Sequence, residues 1–361
     1  MKYAVAIVNI KNNVKEAIEK AIKLIDWKPN DSSFLIKPNM INSRKSDEGV
    51  TTDPRIVSSI IEILKDLGCK IYVGDSPGNA YPGRARKIFE ATGMLNVIEN
   101  SGAKFIEFES EPPKRINING RILKSIAIAT PILKNKIVNV PKLKTHTQTL
   151  MTGAIKNISM GSIPGSGKAY IHRVGITPKK MAMAIIDVYS IIKPMISLNI
   201  MDAIVCMEGN GPTNGIPIRL NKILVSRDAL ALDMIAFKMA GLEPSKVPYI
   251  NEAIRRGIGP RSYNDIPILG DPFEIVKFKL PSTFIIKAYS LLSYFAPIIM
   301  HSVKINYEKC TGCGNCASSC PMGAISMRGK AVINKSKCIR CYVCHEVCEF
   351  GAVDLKKSFL A

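Results

Sequence analysis

The chain has 361 residues, room for two domains of which one can bury a full core. Its composition, 47% apolar and 22% charged, excludes a largely disordered protein. A formal net charge of +21 calls for an anionic counterpart, whether nucleic acid, an anionic surface, a small anion or an acidic protein.

Tyr3 to Asn9 is predicted as a first strand rather than a signal peptide, so we expect a cytoplasmic protein. Val14, Ala17, Ile18, Ala21, Ile22 and Ile25 share one side of a predicted helix. Phe34 to Lys37 reads as a short strand ending in Pro38-Asn39, followed by a polar loop from Ile41 to Thr52. Asp53-Pro54 opens a helix that Gly68 stops. Lys70 to Gly74 is the next strand, and Asp75-Ser76-Pro77-Gly78 is a turn at its C-terminal end. This alternation predicts an α/β domain with a mostly parallel sheet, whose ligands sit beyond the carboxyl ends of the strands. Lys37, Asn39, Asp75 and Ser76 all occupy such ends.

Further along, Ser125 to Ala129 and Lys136 to Val140 read as strands, and Thr147 to Lys156 reads as a helix stopped by a Gly- and Pro-rich loop. Met181 to Ile192 is a predicted helix, Ile196 to Val205 and Lys222 to Val225 are strands, and Asp228 caps a helix that runs to Ala240. Pro248 to Arg256 is expected to be helical and Phe273 to Leu280 to be a late strand. Residues 280–302 form an apolar connector broken by Pro281, Lys287 and Pro297, with runs too short to span a bilayer. The stretch 280–303 is suited to burial, to docking a partner or to peripheral contact with a membrane. The expected organisation is therefore a basic α/β domain over 1–279, the connector over 280–302, and a small domain over 303–361.

The small domain carries the strongest signal in the chain. Cys310-x2-Cys313-x2-Cys316-x3-Cys320-Pro321 is followed by Cys338-x2-Cys341-x2-Cys344-x3-Cys348-Glu349. Soft thiolates, four per cubane, at a spacing that one tight loop can close define a [4Fe-4S] run. The first three cysteines of each run hold one cluster and the fourth reaches the other. Cys310, Cys313, Cys316 and Cys348 therefore hold one cluster, and Cys338, Cys341, Cys344 and Cys320 the second. Structural zinc would need only paired Cys-x2-Cys units and leaves the rest of each run unexplained. The thiolates require a reducing compartment. Residues 303–355 resemble the two-cluster ferredoxin family, an α+β fold, in which the two clusters lie close enough to exchange electrons directly. Glu349 departs from that pattern, standing where the second run would have Pro, and predicts a looser turn.

In the large domain the basic excess is concentrated. Pro112 to Ile186 contains thirteen Lys and Arg and no Asp or Glu. Two polar segments lie inside it. Asn139 to Asn157 carries Lys142, Lys144, His146, Lys156 and Asn157, and Gly161 to Arg173 carries Lys168 and His172. Ser162 to Ala169 imitates a P-loop but opens on Ser and ends on Ala169, which has no hydroxyl for Mg²⁺. It fits a looser anion loop. Tyr170 is the only aromatic residue between Pro112 and Ile186, so no stacking platform for nucleic acid is evident.

Lys37-Pro38-Asn39, Gly74 to Gly78, Val140 to His146, Thr152 to Asn157, His172, Asp187, the segment from Asp202 through Glu208 to Pro212, and Ser226 to Asp233 together resemble the family numbered 362 in the domain-of-unknown-function series. Members of that family are often fused to ferredoxin modules. The resemblance implies an α/β fold related to the N-terminal domain of nickel-dependent racemases, where histidines and a lysine bind a nickel-pincer cofactor. Here the large domain's motifs offer His146 and His172.

As candidate catalytic groups we take His146, His172, Lys156, Asp75 and Glu208. As groups holding an anion or cofactor we take Lys37, Asn39, Ser76, Lys142, Lys144, Asn157 and Lys168. Asp228 and Asp233 read as structural, the first as a helix cap and the second as half of a buried ion pair. The leading expectation is an iron-sulfur oxidoreductase passing single electrons through two [4Fe-4S] clusters to an anionic substrate or cofactor in the α/β domain, with any further cofactor there unidentified. The alternatives are a non-catalytic electron carrier or assembly accessory docking an acidic partner, and a nucleic-acid-binding iron-sulfur protein.

Overall fold

The computed structural model describes residues 3–78, 80–285 and 301–356. Its large domain is built on a ten-stranded sheet. The strands are β1 (Val5–Asn9), β2 (Ser33–Lys37), β3 (Lys70–Val73), β4 (Lys104–Phe105), β5 (Lys136–Asn139), β6 (Lys142–His146), β7 (Leu150–Thr152), β8 (Ile196–Glu208), β9 (Ile216–Ser226) and β10 (Ile268–Gly270). Their order is β10-β1-β9-β8-β5-β2-β3-β4, with β6 pairing with β8 and β7. The run β8-β5-β2-β3-β4 is parallel throughout, while β9 is antiparallel to both β1 and β8.

Strand periodicity sends alternate side chains to opposite faces. Phe34 and Ile36 of β2 enter one core, and Leu35 between them enters the other. Helices α1 (Val14–Leu24) and α2 (Pro54–Asp66) cover the first face. The Asn13 and Asp53 side chains accept hydrogen bonds from backbone N–H groups at their starts, and Ile18, Ile56, Ile60 and Leu64 are turned inward. The second face is covered by α3 (Ala154–Gly161), α4 (Gly167–Val174), α5 (Pro178–Ile192) and α6 (Ala229–Met239).

Two expectations fail. Thr147 to Lys156 is not one helix: Leu150–Thr152 instead pairs antiparallel with β6, and the helix begins only at Ala154. The start is fixed by Asp233, which is not half of an ion pair among the described residues but accepts from the N–H groups of Ala154 (2.5 Å) and Ile155 (3.0 Å). A Cβ on Gly153 would lie 2.2 Å from that carboxylate, so the break needs glycine. Phe273 to Leu280 forms no strand, because its amides at Val276 and Phe278 bond the carbonyls of Met239 and Ala240 at the end of α6. Of the connector, residues 286–300 lie outside the described residues. Among the described residues no helix is long and apolar enough to cross a membrane.

The small domain pairs β11 (Ser302–Ile305) with β14 (Val353–Lys356) and β12 (Ile325–Arg328) with β13 (Lys330–Ile333). One-turn helices α7 (Asn315–Ser318) and α8 (Val343–Glu346) carry the third cysteine of each run.

Candidate functional site

Each cysteine set surrounds its own nest. Cys310, Cys313, Cys316 and Cys348 line one with Ile305, Ala331 and Val353, while Cys320, Cys338, Cys341 and Cys344 line the other with Val303, Ile325 and Val343. Burial, then the neighbouring Cys348, Cys313 and Cys310, push the Cys316 thiol up to about 11. Burial raises Cys341 to about 12. Four converging sulfurs in an apolar wall repel one another as thiolates unless a cationic core joins them, so the donor set fits a cubane in each nest. Each nest draws its fourth cysteine from the other run, Cys348 in the first and Cys320 in the second. The protein binds two [4Fe-4S] clusters.

The small domain docks on the large one through the second run. The His345 carbonyl accepts from Thr213 Oγ1 (3.2 Å) and Asn214 Nδ2 (3.1 Å), and the His345 ring reaches the Asn210 carbonyl at 3.2 Å. Glu349, standing where the first run has Pro321, forms an ion pair with Arg84 in the junction.

Between the domains lies a cavity of about 330 Å³. The large domain contributes Asn39, Asp75, Ser76, Thr152, Lys156, Asn157, Lys168 and His172, and the small domain contributes Ser318, Ser319, Val343, Glu346 and Val347. It sits beyond the C-terminal ends of β2 and β3, where an open α/β sheet places ligands. Through Ala80, Tyr81, Gly165 and Ser166 it continues into a second groove of about 510 Å³.

The predicted cations separate into two groups. Lys37 is fully buried, 2.7 Å from Asp75 Oδ1, and donates to the carbonyl of Pro38 (3.2 Å) and to Asn157 Oδ1 (3.4 Å). Burial lowers it and Asp75 opposes the shift. A Cβ on Gly161 would lie 2.1 Å from its ammonium, so α3 passes this close only as glycine. Lys142 is fully buried against Asp202 at 2.8 Å. Lys144 donates to Asn39 Oδ1 (2.8 Å) and the Val50 carbonyl (2.6 Å), and burial holds it well below the usual lysine range. These three lysines do not line the cavity; they set its frame. Glu208 also lies away from it, accepting from Lys279 N at 2.8 Å.

Lys156, Lys168 and His172 do face the cavity. Burial lowers Lys156 to about 8, with Glu346 opposing. Lys168, likewise lowered to about 8 by burial, donates to Ser76 Oγ and to the Ile163 carbonyl (2.6 Å). Ser76 passes its own proton toward Glu109, whose carboxyl burial raises. Asn39 Nδ2 donates to Asn157 Oδ1 (2.9 Å), and Asn157 Nδ2 to Asn139 Oδ1 (2.8 Å), which locks both amides at the cavity floor.

His146 lies just behind the cavity wall and is completely buried. Its Nδ1 accepts from the N–H of Gln148 at 3.0 Å, so the neutral ring carries its proton on Nε2. Nε2 is 3.2 Å from Glu346 Oε1, off the line of a well-formed hydrogen bond. Burial lowers His146 to about 4, and it lowers His172 as well. Burial works to raise Glu346, but His146, Lys156 and His172 outweigh it and hold the carboxyl well below its usual range. His172 Nδ1 is buried with no hydrogen-bond partner among the described residues.

Sequence reasoning missed Glu346 and Glu109. Glu346 sits between Cys344 and Cys348, where a run of cluster ligands masks any second role. Glu109 lies outside the acid-free stretch, and only the fold brings it to Ser76.

The fold and the two nests define an iron-sulfur protein in which a two-cluster ferredoxin unit closes one side of a cavity in an α/β domain. The chain belongs to the family described as domain of unknown function (DUF362), which it matches over residues 34–238. Residues 303–326 and 331–354 each match the 4Fe-4S binding domain. A relative is the thylakoid-associated protein sll1697 of Synechocystis sp., 29% identical over 258 residues, or 70% of this chain and 77% of that protein.

Proposed function

We propose that this protein is an oxidoreductase acting on a small anionic substrate or cofactor held in the cavity between the two domains. The observation that carries the reading is the shared wall: residues close to cluster ligands, Ser319, Val343 and Glu346, line the same cavity as Lys156, Lys168 and His172. Bound clusters supply or accept one electron at a time. Lys156 and Lys168 offer the positive charge that an anion needs, in a low-dielectric setting where charge counts for more than in water. Asn39 and Asn157, fixed by their mutual bond, orient the bound group. His172 presents a free ring nitrogen for a proton or hydrogen bond, and Glu346 with His146 behind it forms a second proton-holding pair. The adjoining groove gives room for a molecule longer than its anionic head.

We place the protein in a reducing, cytoplasmic compartment, a reading that the eight thiolates support, and the relative's description as thylakoid-associated supports contact with a membrane surface as well. A second reading, a carrier that docks an acidic partner, is favoured by the basic exposed face of the small domain, where Lys304, Lys309, Arg328, Lys330, Lys335 and Lys337 are exposed. The two are separated by native mass spectrometry of protein purified without oxygen, with iron and sulfide analysis of the same sample. Mass for two clusters plus a retained anion supports the enzyme. Two clusters with an empty cavity that takes up no orthophosphate supports the carrier.

A further inference from the structure

The two cluster nests are not equivalent with respect to the cavity. Val343 lines both the cavity and the nest formed by Cys320, Cys338, Cys341 and Cys344, and so is common to the two spaces. Ser319, the neighbour of Cys320, lines the cavity as well. The nest formed by Cys310, Cys313, Cys316 and Cys348 shares no lining residue with the cavity among the described residues. Val347 precedes Cys348 and faces the cavity, but it is not part of that nest. Of the residues lining that outer nest, Cys313, Met327 and Phe350 are exposed.

We infer that the cluster held by Cys320, Cys338, Cys341 and Cys344 is the inner one, which meets the cavity's occupant across Val343, and that the cluster held by Cys310, Cys313, Cys316 and Cys348 is the outer port. The inference deepens the oxidoreductase reading and rests on it for its functional meaning. With a reduced one-electron carrier protein as the outer donor, each electron the donor loses is one that the occupant gains. Cys313 marks the entry face and Val343 the exit.

The test is a redox titration of the anaerobic holoprotein, with both midpoint potentials followed by electron paramagnetic resonance. Lys156→Met removes a cavity cation. A nearby positive charge stabilises a reduced cluster, so its loss lowers the inner potential more than the outer one. Cys313→Ser alters the spectrum of the outer cluster and identifies it; should that variant not assemble, Cys338→Ser marks the inner one. The expected result is that the larger shift falls on the cluster whose signal Cys313→Ser leaves unchanged. A larger shift on the Cys313 cluster, or equal shifts on both, overturns the assignment. Because potentials are read without turnover, failure to find a substrate would count against the oxidoreductase reading and leave this result standing.

Discussion

Lys142 and Lys156 lie fourteen residues apart in one basic stretch, yet their replacement should have opposite consequences. Lys142 and Asp202 are both fully buried and 2.8 Å apart. Removing one partner of such a pair costs about 3–5 kcal/mol, because the other charge stays buried without compensation. Asp202 keeps the N–H groups of Asp53 (2.8 Å) and Ile204 (3.0 Å), which places Lys142→Met at the lower end. A loss of about 3 kcal/mol lowers the melting temperature by roughly 6–12 °C for a domain near this size. Lys156 has no hydrogen-bond partner among the described residues, and burial already holds it down to about 8. Lys156→Met therefore leaves the melting temperature unchanged or raises it, while weakening orthophosphate binding at pH 7 about tenfold or more, the loss of one charge-assisted contact. Calorimetric melts and isothermal titration with orthophosphate, both without oxygen, read the two effects. If Lys142→Met melts with the parent but loses the anion, the division into frame and cavity cations is wrong.

Acid should weaken the packing around the domain junction in two stages. His146 titrates near 6.5 when unfolded and at about 4 in the fold, so its stabilisation is complete above pH 6.5 and is lost as the pH falls toward 4, by up to about 3 kcal/mol. The depressed Glu346 carboxyl adds a loss that begins as the pH falls through the ordinary glutamate range. His146→Gln should flatten the first stage of a stability–pH curve and shrink the second, because His146 is the foremost of the groups that hold Glu346 down. Glu349→Ala breaks the pair with Arg84 and should increase amide hydrogen exchange in residues 343–350 while iron content stays at two clusters; unchanged exchange would mean that the pair does not hold the junction. Removing iron with a chelator should cost the cavity its Ser319, Val343 and Glu346 wall, so orthophosphate affinity falls in the apoprotein even though every cavity lysine remains. Cytochrome-type or flavin-type acidic carriers should exchange electrons with the reduced protein more slowly as salt rises, since the exposed lysines of the small domain are screened; a rate independent of salt would exclude electrostatic docking there.

The cluster ligands were legible because their chemistry is local: eight cysteines at fixed spacing state both the cofactor and the crossed pairing. The alternation of strands and helices was legible for the same reason, each element carrying its own period. What failed was decided by distant partners. The helix expected from Thr147 begins at Ala154 because Asp233, far along the chain, accepts its first amides. The strand expected at Phe273 to Leu280 is taken up by the carbonyls ending α6. The cations pose the same problem, because a basic stretch gives charge without direction. Whether a lysine faces a cavity or a buried aspartate depends on Asp75, Asp202 and the Asn39 amide, which come from other strands and loops.

That dependence also accounts for the acids of the second cysteine run. Glu346 and Glu349 flank Cys348 and would, on an exposed loop, place negative charge beside a cluster whose reduction adds more. Both are turned into the junction instead, Glu346 toward His146 and Lys156 and Glu349 onto Arg84. Each carboxylate is thus offset by cations of the large domain rather than left facing the cluster alone. With both glutamates turned inward, most of the exposed charged residues of the small domain are lysines and arginines. A free ferredoxin unit with these two glutamates would lack both compensations. The two glutamates of the second run are therefore matched to this docked position, in which the small domain forms one wall of the cavity.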